Sequence, residues 1–188
     1  EEENVSEDST VPTFMAGKFK INNWRWSGVP IYIRTGKCLP RKLTEIYVEF
    51  KQPPLKFFEN KCSDIRPNGL LFSIQPEEKT SLELNMKLPG TGNIPYSVDM
   101  TFNYHEEFKT GFLPAYERLL IDCMKGELTL FARRDGIEAM WKIVEPLINK
   151  EKDIKTNEFP NYKAGSWGPE KSKDLLQVDN RKWRTDGE

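Results

Sequence analysis

One histidine, His105, is all the imidazole this chain contains, and that scarcity excludes a good deal of chemistry. A hydrolase built on a serine or cysteine nucleophile needs a histidine base beside it and an acid to orient the ring. His105 lies in FNYHEEF, an ordinary strand-end context, and reads as a structural or surface residue. Cysteine is equally sparse: Cys38, Cys62 and Cys123 are odd in number, far apart and without a CxxC spacing. With so few ligands no metal site is expected, and the thiols read as reduced and inert. The acid pairs Glu77 with Glu78 and Glu106 with Glu107 are adjacent in sequence. Neighbours on a strand point to opposite faces, which suits solvated carboxylates better than paired acid and base.

An excess of either charge is also missing. Lysine and arginine number 28 against 29 acidic residues, a net of −1, so no whole-chain field draws the protein to nucleic acid or an anionic membrane. Apolar runs stay well short of the roughly 18–20 residues of a membrane span, and no basic-then-apolar leader precedes a small-residue cleavage site. A soluble, cytoplasmic protein with neither a membrane nor a nucleic-acid partner is expected. Glycine-rich phosphate cradles are absent as well. PGTGN at 89–93 has GxG but no third glycine and no following helix, so it reads as a turn. The chain opens on glutamate, and its first methionine, Met15, already lies inside a strand-like pattern, so a piece cut from a longer protein is expected.

What is present is alternation. The length suggests a single domain. Residues 1–12 are acidic and poor in large apolar groups, as in a disordered or loosely docked lead-in, and 13–188 are expected to form one α+β domain. FMAGKFKI, PIYIRT, TEIYVEFK, GLLFSIQP, KTSLELNMKLPG and YSVDMTFNY predict about six strands with no long helix between them, hence a largely antiparallel sheet. LPAYERLLIDCMKG has Pro114 near the first helical position and Gly126 placed to end the helix. RDGIEAMWKIVEPLINK repeats the helical spacing with Pro146 loosening its later turns, and PEKSKDLL is a last short helix. Strands first and helices afterwards predict an α+β fold, a large mostly antiparallel sheet with helices packed on one face. The other face is left with Tyr32, Tyr47, Tyr104 and long polar side chains, a composition suited to burial against a partner.

Two stretches carry candidate chemistry. NNWRWSGVP sets Arg25 between Trp24 and Trp26. Such a loop can stack on bases or sugars, or can be anchored by indoles packing on the sheet with Arg25 bridging carbonyls; the balanced charge favours the second. PIYIRTGKCLPRKLTEIYVEF gathers Arg34, Lys37, Arg41 and Lys42 around Gly36. Glycine lets the backbone turn sharply, and an ammonium on a flexible stem suits a phosphate or an ionised sugar hydroxyl. Solvated edge decoration explains the same cluster equally well from the residues alone.

INNWRWSGVPIYIRTGKCLPRKLTEIYVEFK, LLFSIQPEE, LPAYERLLIDCMKGELTLFARRDGIEAMWKIVEPL and YKAGSWGPEKSKDLL occur here in that order. Together they resemble the C-terminal domain of the glucose-6-phosphate dehydrogenase family from Thr13 to Leu176. The coenzyme's glycine-rich turn and the segments that surround the catalytic base in that family's N-terminal half are not in this sequence.

The resemblance implies a nine-stranded, mostly antiparallel sheet with helices on one side and a homodimer formed through the sheet. It implies the oxidation of glucose 6-phosphate to the lactone with NADP, the first step of the pentose phosphate pathway. In the complete enzyme this occurs with an N-terminal coenzyme domain supplying the catalytic histidine and aspartate, so no catalytic residue is expected here and the chain alone should be silent. By the same resemblance Lys37, Lys42 and Gln75 are the substrate-binding residues. Some relatives hold a second, structural NADP. Arg34 corresponds to a contributor to that site and Asp99 is a candidate for another. Trp167 stands where an arginine is expected, and Ser81 and Glu83 replace a tyrosine and a lysine, so no cofactor is expected in this chain. The alternatives are a stand-alone, non-catalytic dimerisation or regulatory module of the same fold, and a single-strand nucleic-acid binder using Trp24, Trp26 and the basic turn.

Overall fold

Each run of alternating residues forms a strand in the computed structural model, which describes residues 5–6, 9, 11–52, 66–90, 94–108, 114–151 and 160–187. Most of the 1–12 lead-in, and Cys62, lie outside these described residues. The strands are β1 (Phe14–Phe19), β2 (Ile31–Gly36), β3 (Thr44–Glu49), β4 (Gly69–Gln75), β5 (Lys79–Lys87) and β6 (Pro95–Asn103). All pair antiparallel with a sequence neighbour, as the lack of crossover helices requires. Backbone pairing divides them into a two-stranded sheet, β1–β2, and a four-stranded meander, β3–β4–β5–β6. The expected α+β class holds; the division within the sheet was not expected. It falls between Gly36 and Thr44, where Cys38 adopts φ 50 and Pro40 has no N–H to offer a ladder.

Register gives the meander two chemically distinct faces. Ile46 stands opposite Phe72, Val48 opposite Leu70, Leu70 opposite Leu82, and Leu82 opposite Met100. The residues between them, Glu45, Tyr47, Glu49, Ser73, Ser81 and Glu83, form the polar face. Tyr47 crosses that face over Gly69 and donates its phenol hydrogen to Glu83 at 2.8 Å. Only a glycine leaves room, since a Cβ at position 69 would stand 2.2 Å from the Tyr47 oxygen.

This face is met by the chain's own C-terminal segment. After α4 (Lys171–Gln177), Asp179 pairs with Lys18 of β1 and accepts from Tyr32 of β2. Arg181 approaches Glu49 at 3.4 Å, and Arg184 forks onto both oxygens of Glu45 at 3.2 and 2.8 Å. Hydrogen bonds from Lys18 and Tyr32 hold Asp179 below the usual carboxylate range, and the same contact holds Lys18 above the usual ammonium range. Burial follows these contacts, with Leu71 of β4, Leu176 of α4, Ser73, Ser81, Ser172 and Thr185 the enclosed side chains among the described residues. Tyr32 and Tyr47 thus each find a hydrogen-bond partner within the chain while remaining half-buried.

Residues 108–159 form a separate compact unit holding α2 (Ala115–Lys125) and α3 (Arg134–Glu151). Pro114 precedes α2, and Gly126 ends it at φ 71, a left-handed geometry that glycine adopts without a Cβ penalty. Pro146 lies inside α3, where it removes one backbone donor. Helix α1 (Tyr104–Glu107) is a single turn after β6, and a 3-10 turn at Arg184–Gly187 follows α4. No helix among the described residues is long and apolar enough to cross a membrane.

Burial, then the hydrogen bond to Glu83, pushes the Tyr47 phenol well above its ordinary value. Because the folded value exceeds the unfolded one, the stabilisation from this group is complete below pH about 10 and is lost as the pH climbs above it. Denaturant titrations are expected to show wild-type stability declining above pH about 10 more steeply than that of Tyr47→Phe; parallel pH profiles would contradict the assignment.

Candidate functional site

β2 ends at Gly36, directly opposite Phe14 of β1, and a Cβ at position 36 would come within 2.7 Å of the Phe14 ring. The glycine therefore lets the two strands close at their ends. The next residue extends the ladder by one bond, Lys37 N–H donating to Thr13 O at 2.8 Å. Lys37 O accepts from the Tyr162 hydroxyl at 3.0 Å, and Cys38 O accepts from Gly165 N–H at 2.8 Å. The backbone of the turn is held from both sides while the Lys37 side chain is exposed. An exposed ammonium on a fixed mount is suited to meeting an anionic ligand without first ordering its own backbone.

Lys37 and Lys42 bracket the loop that leaves β2 and enters β3, and both are exposed. Gln75 is the last residue of β4, and its neighbour across the pair is Thr44, two positions after Lys42. Topology therefore sets all three expected substrate contacts on connected strand ends of one unit.

Arg34 has a different fate. Its guanidinium carbon lies 4.5 Å from the ring centre of Trp183 and 5.0 Å from that of Trp167. One of its nitrogens donates to Trp167 O at 3.4 Å and another donates to the Thr185 hydroxyl. Arg41 also approaches Trp167, at 5.9 Å. Planar guanidinium groups favour such aromatic faces. The basic turn thus splits into two cations engaged with indoles and two exposed lysines. Sequence reasoning did not find Trp183, Thr185 or Tyr162, whose contacts with Arg34, Thr13 and Lys37 span more than a hundred residues; the indole in AGSWGP was the one available signal for Trp167.

The Trp24 and Trp26 loop is anchored, but by different atoms from those expected. Asn23 Oδ1 accepts from Trp26 N–H at 2.8 Å and Asn23 O from Ser27 N–H at 2.9 Å, while Trp24 is fully exposed. The polar side chain shapes the turn, so the indoles need not. His105 sits exposed in α1, its backbone N–H donating to Asn103 Oδ1 at 3.0 Å.

A sequence model described as "Glucose-6-phosphate dehydrogenase, C-terminal domain" matches residues 1–184. This chain belongs to that family. The glucose-6-phosphate 1-dehydrogenase of Chlamydia pneumoniae is 45% identical over 187 residues, covering 98% of this chain and 36% of that protein. The enzyme of Borreliella burgdorferi is 45% identical over 177 residues, covering 94% and 36%. Among solved structures, the Mycobacterium avium enzyme matches with a TM-score of 0.79 at 33% identity, covering 97% of this chain and 37% of that one. A glucose-6-phosphate dehydrogenase solved in complex with its substrate glucose-6-phosphate matches with a TM-score of 0.80 at 34% identity, with the same coverage. The chain spans little more than a third of the length of these relatives.

In this glucose-6-phosphate dehydrogenase domain, Arg34→Lys keeps the charge but loses the flat surface lying between two indoles. The substitution is expected to cost about 1–2 kcal/mol in denaturant titration and to shift tryptophan emission to the red; unchanged stability and emission would argue against the stack.

Proposed function

We propose that this chain is the substrate-side and dimerising part of a cytoplasmic glucose-6-phosphate dehydrogenase, which oxidises glucose 6-phosphate to 6-phosphogluconolactone with NADP. The observation that carries the reading is family membership over residues 1–184, with Lys37 exposed on a turn whose backbone is held on both sides. Residues 13–188 act as one functional domain, and the homodimer forms through the sheet.

On this reading the ammonium of Lys37 holds the sugar phosphate substrate and favours negative charge developing on oxygen as the C1 hydroxyl loses its proton. Lys42 supplies a second cation, and Gln75 reaches the sugar through its amide. The C1 hydroxyl proton is removed by a histidine backed by an aspartate in a coenzyme domain outside these 188 residues, and that domain also holds NADP. The chain alone binds no cofactor and turns nothing over. Arg34, already engaged by Trp167, Trp183 and Thr185, belongs to the scaffold.

Mixing the chain alone with glucose 6-phosphate and NADP is expected to give no NADPH absorbance, and sustained turnover would refute its silence. In the complete enzyme carrying this chain, Lys37→Ala is expected to lower kcat/KM for glucose 6-phosphate by about 10²- to 10³-fold. A value within twofold of wild type would remove Lys37 from the substrate site.

A further inference from the structure

We propose that Tyr162 is a positioning residue for the substrate-binding lysine, fixing the backbone of Lys37 through a closed circuit of hydrogen bonds. The proposal rests on the reading that Lys37 holds glucose 6-phosphate.

The Tyr162 oxygen lies 3.0 Å from Lys37 O, 3.1 Å from Thr13 Oγ1 and 3.2 Å from Thr13 O. A phenol has one hydrogen to donate and lone pairs to accept with. Lys37 O, the shortest contact, takes the hydrogen, and the Thr13 hydroxyl donates back to the phenol oxygen. Thr13 O in turn receives Lys37 N–H at 2.8 Å, so the circuit runs from Thr13 to Tyr162 to Lys37 and returns to Thr13. Both backbone polar groups of Lys37 are thereby satisfied beyond the last β1–β2 pair, Phe14 with Gly36.

The turn requires such a hold. Cys38 sits at φ 50, a left-handed conformation unfavourable for a residue with a Cβ, and it persists where surrounding contacts enforce it. Those contacts come from one short stretch: the Tyr162 hydroxyl on Lys37 O and Gly165 N–H on Cys38 O. The Tyr162 ring is itself set against Phe14, with centroids 5.6 Å apart at 54°. Phe14 is closed in by two glycines, since a Cβ at Gly168 would come within 2.2 Å of its ring and one at Gly36 within 2.7 Å. Residues 162–168 thus form a seat for the Lys37 turn, with the phenol hydroxyl and Gly165 N–H as its polar contacts. A lysine reaching a phosphate through a long stem gains affinity when its base does not wander.

Tyr162→Phe removes the hydroxyl and keeps the ring on Phe14. In the complete enzyme it is expected to raise KM for glucose 6-phosphate about fivefold, the worth of one hydrogen bond, with KM for NADP unchanged and kcat within twofold. In a Lys37→Ala background the same change is expected to add nothing. An unchanged KM for the sugar phosphate, an equal rise for NADP, or an undiminished effect in the Lys37→Ala background would each overturn the role of Tyr162. If Lys37→Ala itself leaves KM for glucose 6-phosphate unaltered, the substrate-site reading falls and the positioning role falls with it. Should Tyr162→Phe not fold, Thr13→Val breaks the same circuit one bond earlier; a KM rise for glucose 6-phosphate alone supports the proposal, and none overturns it.

Discussion

The link between the two sheets is made by side chains, because the backbone does not make it. β2 and β3 are consecutive in sequence yet share no ladder, and the segment after α4 spans the break. Asp179 engages β1 and β2, Arg181 and Arg184 engage β3, and Trp183 and Thr185 engage Arg34 of β2. Three of these contacts are ionic, and the Arg184 fork on Glu45 is the most enclosed of them, with side-chain exposures of 27% and 15%. A forked, partly enclosed pair is where such an interaction contributes most, whereas the more open Arg181 contact with Glu49 contributes little. The position of the Lys37 loop relative to the meander depends on this clasp, since that loop is the covalent connection across the same break.

The clasp also explains why neighbouring cations in one turn do different things. Arg34 points from a strand into the junction, where a weakly hydrated plane between two indoles is a good filling. Lys37 follows the glycine that ends the strand, where the backbone is anchored and the side chain reaches solvent. Lysine is the more strongly hydrated cation, so the residue type matches the environment in each case. A cluster that reads as one patch in the sequence is thus divided by the fold.

Local features were legible from residue order: the strands from two-residue alternation, the ends of α2 from Pro114 and Gly126, and the family from the motifs around Lys37. The contacts that were missed are long-range. Nothing near Tyr47 in sequence announces Glu83 as its acceptor, and Arg184 meets Glu45 across a separation of 139 residues. The break between β2 and β3 was missed for a related reason: alternation marks strands but is silent on which strands share a ladder. For Trp24 the error was chemical, because the amide of Asn23 builds the turn that hydrophobic anchoring was expected to build.

Separations of 139 and 151 residues between Arg184 and Glu45 and between Arg34 and Thr185 have a consequence for order in time. Hairpins such as β1–β2 close over short loops, whereas contacts of this span carry a large entropic barrier to closure. The hairpins are therefore expected to close before the segment after α4 docks across the break. Until then the lysine turn lacks its seat.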